Sequence, residues 1–290
     1  MILVFSCVFL FLLLSAPQIC IPGSQYGMTL WLTQLIPTLL PFFIAIKMFQ
    51  SSLPNLSSRR PFLLLGLLCG YPSGAVLVSH QYSRHALSLK QAHFYLGLTN
   101  NPSPMFILSF CGLYVLKLTT GQAALCLFIV VLSSLLGSLL TSLIIRFPKT
   151  ALTHSSESLQ PPPQSLDDII LESFLVLVKI GGYVILFSIL GQWIHTILPG
   201  TSTVSRTLRI LCSGILEITS GVSYLTDVAL PIRLKKVLTI TILTFGGFSA
   251  AAQTNSIITK SGLSTPLYLI NKGLNSVIAF FLSSLIFHVL

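Results

Sequence analysis

CGYPSGAV (Cys69–Val76) and LTNNPSPMF (Leu98–Phe106) each interrupt an apolar run with glycine, proline or asparagine. Proline removes a backbone donor and glycine weakens a helix, so both runs read as helices broken in mid-course. Two later strings repeat the pattern, LEITSGVS (Leu216–Ser223) and LTFGGFSAA (Leu243–Ala251). The interrupted segments are 62–80 and 93–116, then 208–226 and 238–258. Broken backbone is tolerated at membrane depth only where protein buries it or where it lines a wet cavity.

The segments around them, 1–22, 28–49, 121–146, 169–195 and 264–289, are long and continuously apolar. A helix needs about 20 mostly apolar residues to cross the roughly 30 Å hydrocarbon core. Of 290 residues, 53% are hydrophobic and only 8% charged, about a third of the soluble norm. Such a chain cannot cover a soluble surface, which excludes a cytosolic enzyme and a disordered protein. A β-barrel would alternate over strands of about 10 residues, and these runs do not. The expected fold class is therefore all-α, a polytopic integral membrane protein. The net charge of +10 comes from 16 scattered Lys and Arg. They form no basic face for nucleic acid and are placed as in membrane loops.

Segment 1–22 has no Lys or Arg before its apolar run, and Ala16 is a weak cleavage site, so it reads as an uncleaved first helix rather than a signal peptide. The six cysteines contain no CxxC pair and the histidines no metal-binding cluster. No metal and no cofactor are expected.

The longest polar stretch, 147–168, holds Pro161 to Pro163 and reads as a linker. One transmembrane domain is expected over 1–290: an extra N-terminal helix (1–22), a first repeat (28–146), the linker, and a second repeat (169–290). The repeats align at an offset of about 141 to 147 residues, with Ser73-Gly74 over Ser220-Gly221. A register setting GYPSGA on GGFSAA matches well locally but leaves the other segments unpaired. If 62–80 and 208–226 are re-entrant, each half crosses three times and the second half is inverted. The basic residues then divide almost evenly between the two sides; a full crossing at 208–226 suits the positive-inside rule better. The inverted repeat is the expected arrangement. Matching interruptions in two halves point to a substrate site near the midplane.

Glu217 is acidic in the middle of an apolar segment, where a charge is costly unless paired, hydrated or protonated. It is either a structural group at the helix break or a ligand for substrate or a coupling ion. Lys179 lies deep in 169–195; it either reaches an interface or offers a cation to the cavity. Asn100, Asn101, Ser103, Ser249, Gln253 and Asn255 flank the breaks. They can bind a polar substrate or Na+, or cap broken helix ends. Ser73, Thr219 and Ser220 open half-helices whose positive ends suit a carboxylate. Tyr71 can stack on a ring or simply pack.

Six strings in order carry a family resemblance: LPFF (Leu40–Phe43), GYPSGA (Gly70–Ala75), TNNPSPMFI (Thr99–Ile107), KIGGYVILFS (Lys179–Ser188), LEITSG (Leu216–Gly221) and FGGFSAAAQ (Phe245–Gln253). In these the chain resembles the YlbJ (SpoVV) sporulation integral membrane proteins. These belong to the nucleoside-recognition or Gate group, related to concentrative nucleoside transporters. The family pattern has Ser-Gly where this chain carries Pro102 and Ser103. The resemblance implies transport of dipicolinate, a small planar anion, from mother cell toward forespore across the outer forespore membrane. The implied partners are that anion, a coupling proton or Na+, and the bilayer. A nucleoside or ion substrate is the alternative within transport. A non-transporting assembly protein is a second alternative, though a scaffold needs no polar midplane site. An intramembrane serine enzyme around Ser73 lacks a histidine at depth and a GxSxG motif, so no enzymatic activity is expected.

Overall fold

The computed structural model describes residues 2–51, 59–146, 165–198, 202–226 and 228–289. Every regular element in them is helical. Helix α1 (Ile2–Ser15) stops before Pro17, which has no N–H to continue it. The expected helix 1–22 is therefore divided at Ala16. Pro17 instead starts α2 (Pro17–Leu30), in keeping with the fixed φ of proline in a first turn. A π-helical turn (Trp31–Leu35) joins α2 to α3 (Ile36–Ser51), placed where Pro37 removes a ladder donor.

Three of the four interrupted segments are pairs of α-helices; α6 is instead paired with a π-helix. They are α4 (Arg59–Cys69) with α5 (Ser73–Ser83); α6 (Leu89–Thr99) with a π-helical segment (Phe106–Val115); α9 (Thr203–Leu216) with α10 (Ile218–Ser223); and α11 (Ile232–Phe245) with α12 (Gly247–Ile258). Three long helices are unbroken: α7 (Thr120–Ile144), α8 (Leu166–Ile197) and α13 (Thr265–Val289). Among the described residues, five stretches are long and apolar enough to cross a membrane: Pro17–Phe49, Thr120–Ile144, Leu166–Ile197, Ile232–Ser261 and Thr265–His288.

Of the expected linker, 147–164 lies outside the described residues. Its last residues belong to α8 instead, because Ser165 and Asp168 form a capping box. Asp168 N–H donates to Ser165 Oγ at 3.1 Å, and Ser165 N–H donates back to Asp168 Oδ2 at 3.2 Å.

Helices α2 and α8 pack side by side where small residues permit it. A Cβ on Gly23 would lie 2.9 Å from Ile189 Cα, and one on Gly27 2.8 Å from Ile185 Cα. Trp31 sits on Gly181 and donates its indole N–H to the Leu177 carbonyl at 2.9 Å. Lys47 on α3 and Glu172 on α8 form an ion pair. The main apolar core runs from Leu35, Leu39 and Phe43 through Phe106 and Phe110 to Val184, Val222 and Leu243.

Helices α4 and α5 are 11 residues each, about 16 Å long and too short to cross alone. They pack on one another around a turn at Gly70–Pro72. Gly70 has φ +66, and a Cβ there would lie 2.6 Å from Ser103 N, so only glycine fits. In the α9–α10 pair, Gly214 and Gly221 touch backbone to backbone where the two helices pack.

Candidate functional site at the four helix breaks

The four breaks converge. Tyr71 from the first, Pro102 and Ser103 from the second, Glu217 and Thr219 from the third, and Gly246 and Ser249 from the fourth all line one cavity. Gln253 and Ala250 of α12 line it too, and Leu39 and Phe43 of α3 and Ile180 and Val184 of α8 form an apolar wall. The cavity encloses about 40 Å³, room for a few water molecules.

The breaks hold one another. Tyr71 N–H donates to the Asn101 carbonyl at 2.8 Å, joining the first two. A Cβ on Gly247 (φ +76) would lie 3.2 Å from the Gly214 carbonyl and 3.3 Å from the Leu216 carbonyl, which brings the other two together.

Glu217 is 3% exposed and caps α10. Its Oε1 accepts from Thr219 N–H at 2.8 Å. Its Oε2 accepts from Ser220 N–H at 2.7 Å and from Ser220 Oγ at 2.9 Å. A carboxylate is the natural acceptor for the free N–H groups of a helix start. Glu217 thus has the structural role weighed for it and also lines the cavity. Ser220 Oγ lies 2.8 Å from Ser188 Oγ of α8.

Asn100 does for α5 what Glu217 does for α10. Its Oδ1 accepts from Ala75 N–H at 3.2 Å, and its Nδ2 donates to Thr254 Oγ1 at 2.8 Å and Tyr268 Oη at 3.0 Å. Asn101 Nδ2 donates to the Leu98 carbonyl at 2.7 Å. Ser103 Oγ accepts from Phe106 N–H at 3.2 Å.

Of the residues expected at the site, the structure brings Tyr71, Ser103, Glu217, Thr219, Ser249 and Gln253 to the cavity. Asn100, Asn101 and Ser220 are buried beside it with their side chains committed to caps and cross-links. Ser73 opens α5 without lining the cavity, and Asn255 Oδ1 accepts from Thr265 Oγ1 at 2.5 Å on the far part of α12. Lys179 is a correction. It is exposed, on the same face of α8 as Leu175 and Val178. Ile180 and Val184, at helical spacing, take the cavity face instead.

Among the described residues, the fully buried cation is Lys272 of α13. Its Nζ lies 2.6 Å from Asn101 Oδ1 and 3.4 Å from the Asn100 carbonyl. The sequence reading missed it, although Asn271, Lys272 and Asn275 form a polar stripe at helical spacing in an apolar segment.

Two features suit the cavity to a polar ligand. Gln253 is 6% exposed and its Oε1 has no hydrogen-bond partner; a buried polar atom left so is costly and calls for an explanation. The start of α12, at Gly246, carries no side-chain cap, so its N–H groups are free to meet an acceptor. Glu217 and Tyr71 are the titratable side chains in the lining.

No family model and no solved structure matches the chain. It is 26% identical over 327 residues to the sporulation integral membrane protein YlbJ of Bacillus subtilis (strain 168), with 93% of this chain and 79% of that protein covered. That likeness runs through nearly the whole length of this multi-pass membrane protein and supports a kinship with the YlbJ sporulation integral membrane proteins.

Proposed function

We propose that the protein is a transporter whose substrate site is the cavity between the four helix breaks. The convergence of all four interruptions on one cavity carries this reading. A scaffold has no use for broken backbone and an unpartnered amide oxygen at its centre. In a transporter such breaks supply ligand groups near the midplane. The chain is read as two inverted repeats, 28–146 and 169–290, with re-entrant pairs α4–α5 and α9–α10. The halves rock around the site in alternating access.

The substrate is a small planar anion, dipicolinate by family resemblance, moved from mother cell toward forespore. The uncapped start of α12 and Gln253 are its polar contacts, and the apolar wall of α3 and α8 faces its ring. A dianion and an ionised Glu217 in one small cavity repel each other. The anion therefore enters with a proton on Glu217. A cavity of about 40 Å³ must widen to admit an aromatic ring, so the described conformation is the closed one in this cycle.

The test is uptake into proteoliposomes of labelled dipicolinate and labelled uridine. Saturable dipicolinate uptake is expected. Uridine uptake alone would keep the architecture and change the substrate; movement of neither would remove the transport reading.

A further inference from the structure

The break after α6 leaves the last carbonyls of that helix without intrahelical partners in a dry interior. Donors from other elements and from the turn itself meet carbonyls at the end of α6 and just beyond it. Asn275 Nδ2 donates to the Gly97 carbonyl at 3.4 Å, Asn101 Nδ2 to Leu98, and Tyr71 N–H to Asn101. The Asn100 carbonyl is met by the Lys272 ammonium, which also donates to Asn101 Oδ1. The same Oδ1 accepts from Ser134 Oγ at 3.1 Å.

Lys272 has no carboxylate partner among the described residues. Its acceptors are a backbone carbonyl and an amide oxygen, both neutral. It sits at the negative end of the α6 dipole. Its stem passes the fourth break, where a Cβ on Gly246 would lie 3.5 Å from Lys272 Cε. Neutral oxygens at the C-terminal end of a broken membrane helix are the ligand set that holds a monovalent metal cation in transporters. An ammonium carries the same single charge and is satisfied by the same oxygens.

We propose that the Lys272 ammonium takes the place of a bound Na+ at the α6 break, so that this cation is part of the chain. The break keeps its shape without Na+ in solution. The consequence for coupling, that Na+ does not drive the cycle, rests on the transport reading. The assignment of the cation does not, and its test needs no transport.

The full chain in detergent is melted in NaCl and in choline chloride at equal ionic strength. Wild type should melt at the same temperature in both. Lys272→Ala opens a space lined by the Asn100 carbonyl and Asn101 Oδ1. It should melt lower than wild type in choline and recover roughly 3–6 °C when NaCl reaches ten times its dissociation constant. Lys272→Met fills the same space with an apolar chain and should melt low in both salts. The proposal is overturned if Na+ stabilises wild type or Lys272→Met. It is equally overturned if Lys272→Ala ignores NaCl or stays unfolded in it. A chain that moves no substrate in vesicles yet shows this Na+ pattern loses the transport reading and keeps this one.

Discussion

Glu217→Gln removes one acceptor from the start of α10 and puts a donor in its place. In the wild type, the two carboxylate oxygens take three hydrogen bonds of 2.7–2.9 Å, two of them from backbone N–H groups. Glutamine has one oxygen and one NH2. Whichever way the amide turns, one of the Thr219 and Ser220 N–H groups faces a donor. The site is 3% exposed, so water does not replace the lost partner. An unsatisfied buried donor costs about 1–3 kcal/mol. In a domain of this size, each kcal/mol moves the melting temperature by about 2–4 °C. Helix α10 has only 6 residues, too few to redistribute the strain along further turns. Glu217→Gln should therefore melt roughly 2–12 °C below wild type, followed by far-ultraviolet circular dichroism of the purified protein. Glu217→Ala, which strips both N–H groups, should fall further. A Glu217→Gln variant that melts with wild type would refute the capping role and leave the carboxyl to the substrate or the proton alone.

Three other substitutions separate roles that the fold places side by side. Gly70→Ala forces a β-carbon into a left-handed conformation, costing about 1–2 kcal/mol before any clash. That carbon also meets Ser103 N at 2.6 Å and the Asn101 carbonyl at 2.9 Å; a variant as stable as wild type would show that the first two breaks do not touch. Gln253→Leu removes an unpartnered buried oxygen, so it should melt at or above wild type while dipicolinate transport falls roughly ten- to a hundredfold. Equal transport would take Gln253 out of the site. Lys179→Ala changes an exposed side chain and should alter stability by less than about 0.5 kcal/mol, with uptake unchanged; lost uptake would restore Lys179 to the substrate path.

The breaks are legible in the sequence because glycine, proline and asparagine stand out in apolar runs, and their local chemistry is backbone chemistry. What each polar side chain faces is less legible. Asn100 and Ser249 have the same kind of sequence neighbourhood, yet Asn100 caps α5 and bonds Thr254 while Ser249 lines the cavity. The choice depends on which helix lies opposite. Lys179 misleads for a related reason. Helix α8 is apolar around most of its circumference, so the pattern does not say which face meets α3. Lys272 is the reverse case. Its position near the start of the last segment looks like a lysine reaching an interface, and only the approach of α13 to the α6 break encloses it. The 1–22 boundary fails by ordinary helix chemistry, because Pro17 has no N–H with which to continue α1.

The claim that the four breaks build the substrate site is tested most directly by alkylation at Ser249. In a cysteine-free background, Ser249→Cys places a thiol of nearly the same size on the cavity wall. Leu143→Cys, on the exposed face of α7, serves as the control. A small maleimide is added to the protein in vesicles with and without dipicolinate. The account predicts that dipicolinate slows labelling at position 249 at least several-fold and leaves position 143 unchanged. Equal labelling rates at position 249 with and without dipicolinate, in vesicles that take dipicolinate up, would place the substrate elsewhere and contradict it.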